Sequence, residues 1–299
     1  MPYSDFLSFR RSLGRTPPLD RMRVRARGLE LAVWTSPPVD RATPLLLVNG
    51  GMLYDHALLW PALSPLALNR QVILYDQRGR GASEAPRVPA DARIEDDAQD
   101  VGALRRALGV RRWDVLGHSW GGGIAMLGVL GDSGGTQRLV TVDSVGPTSA
   151  WMPELHAIAL SRLSPAGRET AAQLYPRLGT TDVEAQGAYS RATYPAWFVD
   201  AELAARFAPP VGASATGSAV VAQLRREGYD WRERLRALST PTLVIHGEQD
   251  ALPASVASDL AALLPNARLS LLPHAGHMPF WEAPDLFFSR IESFLATGS

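Results

Sequence analysis

The chain has 299 residues, thirty basic and thirty acidic side chains, a formal net charge of zero and no cysteine. Balanced charge argues against nucleic acid and against a strongly cationic partner, and the missing cysteines exclude disulfides, thiolate nucleophiles and Cys-ligated metals. No apolar run approaches the ~18 residues of a membrane-spanning helix, and the N-terminus lacks the apolar core and small-residue cleavage site of a signal peptide. The expectation is therefore a cytoplasmic protein. The mildly amphipathic Phe6-Leu7-Ser8-Phe9-Arg10-Arg11 is expected to be a short arm packed on the body rather than a membrane anchor.

Residues 22–27 and 29–34 alternate apolar and polar side chains around Gly28, which predicts an antiparallel hairpin. The pattern then changes. Leu45 to Val48 is continuously apolar, as expected of a strand buried on both faces, and it ends in Asn49-Gly50-Gly51-Met52. A second such run, 71–75, ends in Asp76-Gln77-Arg78-Gly79-Arg80-Gly81. Residues 94–108 carry apolar side chains at helical spacing, with Glu95, Asp96 and Asp97 placed as a favourable acidic helix start and Gly109 as a stop. Further buried strands follow at 113–116, 138–143, 241–246 and 267–272, and a helix at 284–296 closes the chain.

Buried strands alternating with helices predict an α/β fold, a mostly parallel central sheet flanked by helices. Residues 144–238 break the alternation. They read as helices at 153–163, 167–178, 183–194, 201–207, 218–227 and 231–238, interrupted at Pro176, Pro195 and Pro209-Pro210. The expected organisation is a core of 1–143 and 239–299 with an inserted helical cap, 144–238.

In such sheets ligands bind beyond the carboxyl ends of the strands, and the chemistry-bearing residues fall there. Gly117-His118-Ser119-Trp120-Gly121 lies between an apolar strand and a helical run. This is the G-x-S-x-G nucleophile elbow, in which glycines allow strand and helix to cross closely while the serine is lifted from the turn. A serine hydroxyl needs a base, and the base an orienting acid. Asp250 follows the strand at 241–246 and His277 the strand at 267–272, in the order Ser, Asp, His. Asp250 is preferred over Glu248 and Asp143, and His277 over His274. His118 and His246 read as structural. The expected oxyanion donors are the backbone N–H groups of Gly51 and Trp120. Met52, Trp151, Tyr194 and Trp197, with Tyr189 and Phe198, are candidates for an apolar substrate pocket. No cluster supports a metal site, and no cofactor is required.

Over nearly its whole length the chain resembles the α/β-hydrolase superfamily, and within it the prolyl aminopeptidases (proline iminopeptidases). Tyr75-Asp76-Gln77-Arg78-Gly79 and Gly117-His118-Ser119-Trp120-Gly121-Gly122 are similar to segments of that branch. The resemblance implies a triad of Ser119, Asp250 and His277, an oxyanion hole at Gly51 and Trp120, a helical cap, and structural roles for Asp76 and Arg78. Two features depart from the branch: its His-Gly-Gly-Pro-Gly segment is replaced by Asn49-Gly50-Gly51-Met52-Leu53, and no Trp-x-x-Trp-Glu segment is present. The expected activity is hydrolysis of small amides or aminoacyl peptides through an acyl-enzyme. Carboxylesterase or lactonase activity on small apolar esters is the alternative, and a non-catalytic binding protein the third reading.

Overall fold

The structure is a computed structural model describing residues 16–180, 182–206 and 214–296. The expected N-terminal arm and the Pro209-Pro210 break lie outside the described residues. The strands are β1 (Asp20–Ala26), β2 (Leu29–Thr35), β3 (Leu45–Val48), β4 (Val72–Tyr75), β5 (Trp113–His118), β6 (Thr136–Val142), β7 (Thr242–Gly247) and β8 (Ala267–Leu272). They form one eight-stranded sheet in the order β1-β2-β4-β3-β5-β6-β7-β8. β1 and β2 pair antiparallel, as does β2 with β4, and every remaining pair is parallel.

The side-chain period of two divides the core cleanly. Leu46, Val48, Ile73 and Val115 face one side, together with the helices α1 (Ile94–Ala107) and α2 (Trp120–Gly131). Leu45, Leu47, Leu74 and Leu116 face the other. All of β3 and β4 is buried, whereas the edge strand β1 turns only Val24 and Ala26 inward. Gly109 stops α1 at φ +68°, as the sequence predicts.

The acidic start of α1 does more than complement a helix dipole. Asp97 is fully buried and receives two hydrogen bonds from Arg80, at 2.8 and 2.9 Å. Asp100, also buried, takes two from Arg78. These pairs fix the loop after β4 against α1, beneath the ends of the parallel strands.

Between β6 and β7 runs a helical insertion: α3 (Met152–Arg162), α4 (Pro165–Leu174), α5 (Val183–Thr193), α6 (Ala201–Arg206), α7 (Ala215–Glu227) and α8 (Arg232–Leu235). Capping residues set several of its boundaries. Ser164 accepts a hydrogen bond from Gly167 N–H, with Pro165 at the first helical position, so α4 begins before the expected residue 167. It ends at Leu174, where a 3₁₀ turn containing Pro176 follows. Ser214 likewise caps α7 through Gly217 N–H, starting that helix three residues before the expected 218. The helix expected at 231–238 is reduced to α8. After β7 come α9 (Ala254–Leu263), β8, the short α10 (Pro279–Glu282) and α11 (Pro284–Ala296). No described helix is long and apolar enough to cross a membrane.

Candidate active site

Ser119 caps α2 at the end of β5 with φ +56° and ψ −125°. An L-residue reaches this region only when its surroundings impose it, and the neighbours here allow little else. A Cβ on Gly117 would lie 2.3 Å from the Gly121 carbonyl oxygen, and one on Gly121 would lie 2.1 Å from that of Val48. The two glycines of the elbow thus let α2 cross β5 and β3 at backbone contact.

The Asn49–Met52 loop presses on the same turn. A Cβ on Gly50 would come within 2.6 Å of Ser119 Cβ and 3.1 Å of Trp120 N. Gly51, at φ +79°, has the Tyr54 ring where its own Cβ would be. As the first residue of α2, Trp120 has no intrahelical acceptor for its N–H. Gly51, Trp120, Ser119 and His277 line one cavity of about 180 Å³ between the sheet and the helical insertion.

His277 Nδ1 lies 2.7 Å from Asp250 Oδ2, and Leu252 N–H donates to Asp250 Oδ1 at 3.0 Å. Burial opposes ionisation of Asp250, but the charge and hydrogen bond of His277, with His246 nearby, hold its carboxyl below the usual range. His277 is held by three further contacts, two through its backbone and one through its ring. Its backbone N–H donates to the Trp197 carbonyl at 2.8 Å, its carbonyl lies 2.8 Å from His118 Nε2, and the Trp197 ring packs 4.5 Å from its own. Burial, reinforced by the neighbouring His277, lowers the His118 pKa to about 3, so His118 is neutral and serves as a donor to that carbonyl.

The alternatives weighed in the sequence separate here. Glu248 and His274 are exposed and do not line the cavity. Asp143 is buried directly beside the Asp250–His277 pair, with one carboxyl oxygen of each acid and a His277 ring nitrogen within 4.8 Å of one another. Burial, together with the charge of Asp250, raises the Asp143 pKa well above the ordinary value, which favours its protonated form beside Asp250. Its Oδ1 accepts from Gly247 N–H. His246, also buried and with its pKa lowered by burial, lies 3.6 Å from Asp143 and 3.8 Å from Asp250.

Trp151, Tyr189, Tyr194 and Trp197 line the cavity, but Phe198 packs behind Tyr194 instead. Met52 is a correction. Successive positive φ values at Gly51 and Met52 turn its side chain away from the cavity and into the core, where it is 1% exposed. There its sulfur lies 3.7 Å from an Arg80 nitrogen, while Arg80 Nε donates to its carbonyl. Leu53 and Tyr54, the next residues, line the cavity in its place.

Several site residues carry no local signal in the sequence. Glu282 is buried at the start of the C-terminal helices and accepts from the N–H groups of Gly276, Val199 and Asp200. It joins the His277 loop to the helical insertion. From the insertion, His156, Gln186 and Arg225 reach the cavity wall. Among the described residues lining the cavity there is no Asp or Glu, and Arg225 is the one basic side chain besides histidines.

Comparison with known proteins agrees with this architecture. The chain is 30% identical over 264 residues to a proline iminopeptidase of Lactobacillus delbrueckii subsp. bulgaricus, covering 81% of this chain and 85% of that protein. It is also 30% identical over 235 residues to a 2-hydroxymuconate semialdehyde hydrolase of Pseudomonas putida, covering 76% and 77%. A solved hydrolase structure from Pseudomonas aeruginosa superposes with a TM-score of 0.70 at 27% identity, over 95% of this chain and all of that one. The family described as the alpha/beta hydrolase fold matches residues 43–284, and with the elbow, the sheet order and the helical insertion in place, the chain belongs to that family.

Proposed function

We propose that the protein is a serine hydrolase that cleaves small esters with an apolar acyl chain through an acyl-enzyme. The observation that carries this reading is the cavity, which joins Ser119 and His277 to a largely apolar wall with no described carboxylate. In the proposed reaction His277 Nε2 takes the Ser119 hydroxyl proton as Oγ attacks the ester carbonyl. Asp250 holds the opposite ring nitrogen and stabilises the imidazolium. The N–H groups of Gly51 and Trp120 receive the oxyanion. His277 then returns the proton to the leaving alcohol, and water, deprotonated by the same imidazole, releases the acid and regenerates Ser119. No step in this sequence calls for a cofactor.

Aminopeptidase action is the second reading, favoured by the identity to proline iminopeptidases. A free ammonium in a dry site needs a carboxylate partner. Four of the six cap glutamates have other partners, Glu227 with Arg93 and Gln223, Glu202 with Arg206, Glu169 with Gln173 and Glu233 with Arg236, and neither Glu154 nor Glu184 lines the cavity. Arg225 on the cavity wall would repel an ammonium group.

Turnover of nitrophenyl hexanoate and of prolyl and alanyl anilides, measured side by side on wild type and Ser119→Ala, separates the readings. Ester turnover lost in Ser119→Ala is the expected result. Anilide turnover that requires a free amine would replace it with the aminopeptidase reading, and turnover of neither substrate would favour a binding protein.

A further inference from the structure

The cap wall of the cavity carries a positive charge that no described carboxylate pairs with. Arg225 projects from α7, and its guanidinium carbon sits 4.4 Å above the centre of the Tyr175 ring. Tyr175 in turn stacks on His156 at 3.4 Å between ring centres, and His156 Nδ1 lies 2.8 Å from the Tyr189 hydroxyl. Four separate cap segments therefore converge on one point of the wall. Arg225, His156 and Tyr189 all line the cavity that holds Ser119.

The charges of this cluster do not cancel. Burial, with the Arg225 charge, lowers the His156 pKa, which keeps its imidazole neutral. Burial pushes the Tyr189 hydroxyl up to about 12, against the pull of Arg225, so it keeps its proton. Among the described residues no carboxylate lines the cavity and none pairs with Arg225. Elsewhere in the insertion Arg177 is paired with Asp182 and Arg206 with Glu202. A half-buried guanidinium facing an apolar cavity without a counter-charge is costly unless a ligand brings one. With the guanidinium carbon over the Tyr175 ring, the Arg225 side chain can offer its N–H donors to a carboxylate, the partner its fork matches best.

We infer that Arg225, with Tyr189 and His156 beside it, is a carboxylate subsite, and that the substrate is a half-ester: a carboxylate at one end, an apolar chain, and the scissile ester at Ser119. This rests on the hydrolase reading above for the ester, while the anion site stands on the cap geometry alone. The subsite selects among substrates and takes no part in bond cleavage. It also places the protein after a reaction that esterifies or ring-opens one end of a dicarboxylic acid skeleton.

The test compares nitrophenyl hexanoate with the mono-nitrophenyl ester of adipic acid, which differs by its terminal carboxylate. Wild type should favour the half-ester by about tenfold or more in kcat/KM, the scale of a charge-assisted hydrogen-bond pair. In Arg225→Gln that ratio should collapse towards one, and in Arg225→Lys it should be partly kept. A wild-type ratio near one, or a ratio unchanged in Arg225→Gln, would overturn the subsite.

Binding provides a readout that does not depend on turnover. Adipate, but not adipamide, should raise the melting temperature of wild type and of Ser119→Ala at millimolar concentration, and Arg225→Gln should lose that shift. If neither ester is hydrolysed but adipate still protects in this way, the ester reading fails and the subsite stands. No protection by adipate, or equal protection by inorganic phosphate, would overturn the carboxylate assignment.

Discussion

Asp143, buried at the end of β6, lies beside the carboxylate of Asp250 at the end of β7, and burial with that neighbouring charge raises its pKa well above the usual range. Two acids from neighbouring strands thus sit beneath His277, and their surroundings favour the proton on Asp143 and the charge on Asp250. Asp250 has the imidazole, while Asp143 has burial and a neighbouring negative charge. Asparagine, like the protonated acid, can accept from Gly247 N–H and donate to Asp250. Asp143→Asn should therefore keep kcat within a few-fold. Asp143→Ala removes the donor to a buried carboxylate, a loss of about 1.5–3 kcal/mol, and should lower kcat by roughly tenfold or more. Equal kcat values in the two variants would show that a hydrogen bond from residue 143 has no role in positioning His277.

Gly51 offers a check on the oxyanion loop. Its φ of +79° and the Tyr54 ring in the space of a Cβ mean that Gly51→Ala must displace the loop. Since removal of one oxyanion donor costs about 10²–10³ in kcat, ester kcat should fall by roughly a hundredfold or more. KM should change much less. A variant with near wild-type kcat would place the oxyanion elsewhere.

Glu282 holds the His277 loop against the helical insertion through three backbone N–H groups. Glu282→Ala would orphan all three, each at about 1–3 kcal/mol when buried. A large drop in melting temperature, with loss of ester turnover, is the expected outcome. Glu282→Gln keeps an acceptor oxygen and should recover part of both. A melting temperature unchanged in the alanine variant would refute the bridging role.

Asp114 on β5 gives a pH dependence whose sign is fixed. Burial, against the pull of Arg138 and Arg70, raises its pKa from 3.8 to about 6. The folded state therefore binds the proton more tightly than the unfolded chain, so stability falls as pH rises from about 4 to about 6. A shift of this size corresponds to roughly 2–3 kcal/mol at most. Denaturant melts of Asp114→Asn across this range should show a flatter stability profile than wild type. Parallel profiles would remove Asp114 from the account.

Most of the fold is legible because it rests on periodicities that tertiary packing reinforces. β3 and β4 are short, wholly apolar and wholly buried, and the crossing at Ser119 uses the two glycines of the elbow motif itself, Gly117 and Gly121, with Gly50 after β3 packed against it. The placement of Asp250 and His277 at one edge of the sheet is legible for the same reason, since each follows a strand whose direction the parallel sheet fixes. The sequence places Met52 beside the oxyanion loop, but two consecutive positive φ angles reverse its side chain, which its position next to Gly51 does not reveal. Asp97 reads as part of an acidic helix start in the sequence, and only the packing of the β4 loop buries it against Arg80. The cap wall is the least legible part. Arg225, His156 and Tyr175 lie far apart in the chain and meet only through the packing of helices whose sequence fixes neither crossing angle nor rotation.

Intact-protein and peptide mass spectrometry after treatment with a fluorophosphonate shows whether Ser119 is a nucleophile activated by His277. The account predicts one adduct per chain, located on Ser119, absent in Ser119→Ala and strongly slowed in His277→Ala. An adduct on another residue, or ester turnover that survives in Ser119→Ala, would contradict it.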